Sequence, residues 1–217
     1  MKNFLLKKSF NLFRTIFLSL IICFITLSSC FAQADVRRVE PVHNFVFDSL
    51  PLNLEEITDS ADRVFAGVCE TIESLEKDPA SNLPVVKYTF TVSEAIKGVT
   101  TDKITFTQWK PTAVDAGYEI GQKYVIFLYP DSRLGLTSPV GYMQGKFEVE
   151  KKGSNRGSEY IRNKLNNVGL SKNLRTRKRI SIGTDQFLND YINECSSSGK
   201  SIRYKDFIKA VKGLSRR

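Results

Sequence analysis

The stretch from Ala61 to Trp109 decides the fold, and it reads ADRVFAGVCETIESLEKDPASNLPVVKYTFTVSEAIKGVTTDKITFTQW. It contains three apolar-rich runs in succession, separated by turn residues. In the second run Val86, Tyr88 and Phe90 alternate with polar residues, which is the pattern of a half-buried strand. The stretch therefore predicts three consecutive strands in a mainly β protein.

The first of these strands, Arg63 to about Ser74, is apolar on both faces in its first half. Val64 and Ala66 lie on one face of the predicted strand, whereas Phe65 and Cys69 lie on the other. A strand that is apolar on both faces is buried on both faces. We therefore expect a layer of protein on each side of it.

Outward from this stretch, the patterns predict more short strands and three helices. The predicted strands after the first are Val85–Ile96, Lys103–Trp109, Tyr124–Tyr129, Leu134–Thr137 and Gly145–Glu150. Apolar residues at helical spacing predict a short helix that ends near Ser60. They also predict a C-terminal pair of helices, the first beginning at Thr184 and the second at Tyr204. Short strands without interleaved helices predict an antiparallel β-barrel or sandwich over 52–150, with the helical pair, 183–217, packed on it.

The N-terminus has the features of an export signal. Lysines and an arginine precede the apolar run Thr15–Leu27, and Ala32-Gln33-Ala34 follows as a cleavage site. This order predicts a signal peptide over 1–34, removed after Ala34, and a periplasmic or secreted protein. The alternative is a lipoprotein anchored through Cys30, because Leu27-Ser28-Ser29-Cys30 resembles a lipobox. Residues 35–51 follow as an irregular leader.

The positive charge of the chain is concentrated in one segment. The formal net charge is +9, and Lys151–Ile182 alone holds 10 basic residues and one acid. Its polar composition predicts a flexible loop or linker. Binding of an anionic polysaccharide or lipid surface through 172–179 is one interpretation, and plain solvation is the other. The predicted export of the protein argues against nucleic-acid binding by this segment. The candidate contact residues in this segment are Arg175, Arg177, Lys178 and Arg179.

Two cysteines, Cys69 and Cys195, remain after either cut. In an oxidising compartment such a pair is a candidate disulfide. The alternative is two buried free thiols, because cysteine packs well as a small apolar residue.

Several motifs of the central region resemble those of a group of exported bacterial proteins of uncharacterised function. These proteins are similar to netrin-like modules and to tissue inhibitors of metalloproteinases, which share an OB-type barrel. The resemblance implies that fold for about 52–150. It also raises protease inhibition as an alternative function, although those inhibitors bind zinc through an N-terminal cysteine and the predicted mature chain begins at Asp35. The motifs are Ser60–Gly67, Tyr88–Val92 with Lys97-Gly98, Gly121–Phe127, Gln144–Phe147 and Tyr204–Ile208.

No catalytic or metal-binding motif stands out in the sequence. The chain has one histidine, and no nucleophile elbow, zinc-protease or phosphate-loop motif is present. We therefore expect a non-catalytic module that has no cofactor and that binds another envelope or secreted protein. Tryptophan is enriched at binding hot spots, so the predicted contact region is the loop that begins at Trp109 and Lys110 and ends at Tyr118.

Overall fold

The computed structural model of the protein describes residues 51–79, 81–111, 117–153, 158–172 and 185–216. These residues form seven strands and three helices. The helices are α1 (Leu54–Ser60), α2 (Gln186–Ser198) and α3 (Tyr204–Leu214). The strands are β1 (Arg63–Leu75), β2 (Val85–Lys97), β3 (Lys103–Trp109), β4 (Lys123–Leu128), β5 (Lys146–Lys152), β6 (Ser158–Asn163) and β7 (Ile202–Arg203).

All seven strands belong to one antiparallel sheet, in the order β3-β2-β1-β4-β5-β6-β7. The sheet is not closed, and its edge strands are β3 and β7. The prediction of a mainly β antiparallel fold with one short N-terminal helix and a C-terminal helical pair is thus confirmed. The prediction of a closed barrel is not confirmed, because the sheet is open.

Strand β1 lies inside the sheet, between β2 and β4, and separates two apolar clusters. Val64 and Ala66 belong to the cluster beneath the helices, whereas Phe65 and Cys69 belong to a cluster on the opposite side. The prediction that both faces of β1 are covered is therefore confirmed. Three register shifts between β1 and β2 bend the two strands, as bulges do.

The side of the sheet opposite the helices carries an aromatic cluster. Its rings pack mostly edge to face, with centroid separations from 4.7 Å for Tyr88 and Tyr118 to 6.2 Å for Phe90 and Tyr124. Edge-to-face pairs are the favoured arrangement of aromatic quadrupoles. The aromatic cluster consists of Phe65, Tyr88, Phe90, Phe106, Tyr118 and Tyr124.

The other side of the sheet is covered by the three helices. Asn53 begins α1 with a capping box, in which its side chain accepts from the amide of Glu56 and the Glu56 carboxylate accepts in return. Asp185 caps α2 through the amide of Leu188. We call the apolar cluster between these helices and the sheet the helix-side cluster; it includes Leu54, Ile57, Val64, Ala66, Phe127, Phe147, Ile192, Phe207 and Val211.

The expected disulfide is absent, because the two cysteines lie in different clusters. Cys69 is buried in the cluster that contains the aromatic rings, and Cys195 is buried in the helix-side cluster. A bond between Cys69 and Cys195 would require the helices to cover the face of β1 that carries Cys69. In the structure they cover the face of Val64 and Ala66, so the sheet stands between the thiols.

Part of the segment predicted as a loop, 151–182, is ordered in the sheet. Ser158–Asn163 forms β6, which pairs with β5 and buries Ile161. The sequence did not predict β6, because its residues are mostly polar. The strand is stabilised instead by backbone pairing with β5. Conversely, the strand predicted over Leu134–Thr137 is reduced to a single bridge at Leu136.

Candidate binding pocket at the end of strand β3

A pocket of about 560 Å³ lies where β3 ends. One wall is the end of β3 and the residues after it. The other wall is the connection between β4 and β5, residues 129–145, which we call the β4–β5 connection. The residues that line the pocket are Gln108, Trp109, Lys110, Pro111, Tyr129, Pro130, Ser132, Leu134, Leu136, Thr137, Ser138, Pro139, Tyr142 and Met143.

Backbone bonds hold the β4–β5 connection between two strands. On one side the amide of Tyr129 donates to Ser138 at 3.0 Å, and the amide of Val140 donates to Phe127 of β4 at 2.8 Å. On the other side the amide of Thr137 donates to Thr107 of β3 at 2.8 Å. The connection thus protects part of the β3 edge, which would otherwise offer unpaired peptide groups.

Internal hydrogen bonds also shape the tip of the β4–β5 connection. The hydroxyl oxygen of Ser132 accepts from the amides of Leu134 and Leu136 at 3.3 and 3.2 Å. The hydroxyl of Thr137 donates to the carbonyl of Tyr129 at 2.6 Å. Serine and threonine often shape turns in this way. The hydroxyls of Ser132 and Thr137 thus hold the pocket wall in shape.

The mouth of the pocket exposes large apolar side chains. Leu134 and Tyr142 are each 54% exposed, and Tyr129 is 37% exposed. Trp109 is half-buried beside them. Three prolines complete a mostly apolar lining. A concave apolar site with a few polar groups is the usual form of a ligand site, and clustered exposed apolar residues mark interaction surfaces.

Gln108, with Thr137, is one of the two buried polar residues of the described lining. It is 5% exposed and points to the same side of β3 as Ile104 and Phe106. Its Oε1 atom has no hydrogen-bond partner among the residues that the structure describes. A buried acceptor without a donor is unfavourable by about 1–3 kcal/mol. Such an atom beside a pocket points to a ligand that brings a donor.

The charged groups around the pocket are cationic or already neutralised. Lys110 lines the pocket, and Arg133 is exposed between two lining residues. Neither forms an ion pair within the described ranges. The nearby acid Asp131 is bound by Arg63, which also contacts Asp62 at 3.6 Å. The mouth of the pocket is therefore positive.

The structure separates the residues that were predicted to bind a partner. Trp109 and Lys110 line the pocket. Tyr118 instead lies in the aromatic cluster, 4% exposed, with the ammonium of Lys146 at 5.1 Å from its ring centroid. It is a core residue, because the chain turns inward before β4. The other predicted positions lie outside the described residues: Cys30, Arg175, Arg177, Lys178 and Arg179.

Sequence reasoning missed most of the opposite wall of the pocket. Tyr129, Leu134 and Tyr142 were assigned to strands and turns, although two prolines, Pro130 and Pro139, bracket this part of the chain. Proline is excluded from central strands. Proline and exposed aromatic residues in one long connection are the signal that could have found this wall.

Acidic and thiol groups elsewhere are engaged in the fold. Glu70 accepts from Thr91 and from Lys103, and the Lys103 and Thr91 hydrogen bonds hold the pKa of this carboxyl below its ordinary value. Burial raises the pKa of the Cys69 thiol to about 11 and also raises the pKa of Cys195. No group of three or more potential metal ligands occurs in the described parts of the chain.

No family model and no curated protein matches this chain. In the part of the chain that the structure describes, none of the helices has the length and apolar content needed to cross a membrane.

Proposed function

We propose that this protein is an exported, non-catalytic module that binds another envelope or secreted protein through the pocket at the end of β3. The observation that carries the proposal is the apolar mouth of this pocket, where Leu134, Tyr142 and Tyr129 are exposed together beside Trp109. Aromatic side chains in concave, partly desolvated surroundings are the usual anchors of protein interfaces.

The chemistry of the lining favours binding over catalysis. The described lining residues include no acid, histidine or cysteine. The two hydroxyls of Ser132 and Thr137 are held in hydrogen bonds to the backbone. A nucleophile needs a neighbouring base to activate it, and the described lining residues offer no carboxylate or imidazole for that role.

The fold proposed for the first five strands is an open, OB-like barrel. Their order in the sheet is β3-β2-β1-β4-β5, and Thr137 of the β4–β5 connection bonds to Thr107 of β3. The edge of the sheet therefore curves toward the connection that follows β4. Together with the motifs that resemble netrin-like modules, this curvature supports the proposal. OB-type barrels commonly bind ligands through strand faces and adjoining loops.

Export is proposed from the N-terminal sequence alone. The apolar run Thr15–Leu27 and the cleavage site at Ala34 support release into the periplasm or medium. Lipidation at Cys30 would leave the same module tethered to a membrane surface. Surface binding through the basic residues 172–179 remains a separate proposal, which the pocket neither requires nor excludes.

Site-specific photo-cross-linking tests the proposed function. A benzoylphenylalanine is introduced at Tyr142, at the mouth of the pocket, in the producing cells. The matched control carries it at Phe187 of α2, which is 89% exposed and is not part of the pocket. We expect one cross-linked protein from Tyr142 and none of that species from Phe187. Excess wild-type protein competes, whereas excess Leu134→Glu variant does not, because a carboxylate disrupts the apolar mouth.

Equal cross-linking from both positions, or none from Tyr142, would contradict the proposed function. The inhibitor alternative is distinguished by an assay against a panel of metalloproteases. Inhibition that persists in the Leu134→Glu variant would assign the activity to another part of the molecule. We expect no inhibition that depends on chelation by an N-terminal cysteine.

A further inference from the structure

We propose that the pocket takes an acidic, extended peptide segment of the partner, with an apolar side chain inserted between Trp109 and Tyr142. This inference rests on the proposed function and specifies the class of ligand. Three separate features of the pocket support it: the apolar character of its lining, the charge at its mouth and the unsatisfied acceptor of Gln108.

The apolar character of the lining favours a peptide over a saccharide. Sugar recognition needs several polar side chains that bond the hydroxyls of the ligand. Here two of the lining hydroxyls are used within the fold, because the Ser132 hydroxyl oxygen accepts two amides and the Thr137 hydroxyl donates to Tyr129. Most of the lining is apolar, with three prolines and exposed aromatic rings. Aromatic-lined grooves of this kind recognise extended, proline-containing peptides.

The charges at the mouth favour an acidic segment. Several lysines of the described strands are paired with acids, as Lys87 is with Glu73 at 2.6 Å and Lys103 is with Glu70 at 2.7 Å. Lys110 and Arg133 have no such partner within the described ranges. Charge complementarity of this kind selects partners and speeds their encounter. Carboxylates flanking the inserted side chain would meet these two cations.

The unsatisfied acceptor of Gln108 favours a ligand that carries N–H donors. Its Oε1 atom has no partner among the described residues, and the residue is only 5% exposed. A peptide offers a backbone N–H at nearly every residue. A simple anion such as a lipid phosphodiester offers an acceptor where this site needs a donor.

Intrinsic fluorescence gives a direct test, because Trp109 is the single tryptophan of the chain. The mature full-length protein is titrated with Ac-Pro-Glu-Phe-Glu-Pro-amide and with the charge-reversed Ac-Pro-Lys-Phe-Lys-Pro-amide. We expect the acidic peptide to shift the emission of Trp109 with an affinity about tenfold higher than that of the basic one, since each exposed ion pair contributes modestly. Added salt should reduce this preference, because it screens exposed charges.

Charge-reversal variants assign the preference to the mouth of the pocket. Lys110→Glu combined with Arg133→Glu should reverse the preference between the two peptides. The matched control is Lys205→Glu combined with Arg216→Glu, which changes the net charge equally at exposed positions of the C-terminal helical region. This control should keep the preference for the acidic peptide. Near-ultraviolet circular dichroism of both variants checks that the fold is intact.

Three results would overturn this inference: no emission change with either peptide, equal affinities for the two, or a response confined to an anionic uronate oligosaccharide. A partner cross-linked at Tyr142 without any charge preference would leave the proposed function standing and end the inference. A preference that survives the Lys110 and Arg133 changes would also end it, because the charges would then act elsewhere.

Discussion

Gly67 lies where β1 approaches β2 too closely for a side chain. A Cβ atom at this position would stand 2.6 Å from the carbonyl oxygen of Thr91. A register shift between the two strands falls between Ala66 and Gly67. Glycine in a strand interior often marks such a bulge or close approach. This residue therefore allows the close approach of β1 and β2 at the register shift.

We expect Gly67→Ala to lower the free energy of unfolding by about 1–3 kcal/mol, because backbone atoms of β2 would have to move. The matched control is Gly213→Ala in α3, where an added Cβ meets no atom within 4 Å. That change should be neutral or stabilise by up to about 1 kcal/mol, since alanine is the better helix former. Urea unfolding of the three proteins measures both effects. Equal midpoints for the two variants would refute the close approach.

At the level of elements, α3 is the helix that joins the C-terminal part of the chain to the sheet. The ring of Phe207 lies 4.7 Å from that of Phe147 and 6.3 Å from that of Phe127, measured between centroids. Lys212 of the same helix forms an ion pair with Glu94 of β2. The helix is thus fixed by a buried aromatic contact near its start and by a polar contact near its end.

We expect Phe207→Ala to destabilise the protein by about 3–5 kcal/mol, because a buried ring is removed and a cavity remains. Phe187→Ala in α2 is the control, since Phe187 is 89% exposed and surface changes usually stay within about 0.5 kcal/mol. Thermal or urea denaturation followed by circular dichroism reports the difference. A similar loss for both phenylalanines would mean that α3 does not pack on the sheet.

On the scale of the whole molecule, the region predicted as a barrel shares its core with the C-terminal segment. The helix-side cluster contains residues from Leu54 to Leu214. The sheet likewise continues from β5 through β6 to β7, which lies directly before α3. The apolar face formed by β1, β4 and β5 therefore needs residues that follow position 152 in the chain.

We expect a fragment of residues 35–152, produced alone, to aggregate and to bind a hydrophobic dye. Without the later residues it would expose Val64, Ala66, Phe127 and Phe147, which are fully buried in the intact protein. Co-expression with residues 153–217 should restore a soluble complex, because the two pieces together rebuild the core. A fragment that unfolds cooperatively with the midpoint of the intact protein would instead establish 52–150 as an independent domain.

Elements with a local residue pattern could be predicted from the sequence alone. Alternation predicted β3 at Lys103–Trp109, and helical spacing predicted α3 from Tyr204, as the structure has them. Such patterns predict secondary structure because the polarity of each residue indicates whether that residue is buried. Of the candidate site, the sequence indicated Trp109 and Lys110, because tryptophan is enriched at binding hot spots.

Which surfaces pack against one another became known from the three-dimensional fold. Residue parity showed that β1 has two apolar faces, but not that the helices would cover the face away from Cys69. Polar β6 forms because β5 offers it an edge, and the pocket forms because the β4–β5 connection folds back against β3. Pairing between distant segments depends on backbone hydrogen bonds that every sequence can make, so the local pattern does not specify it.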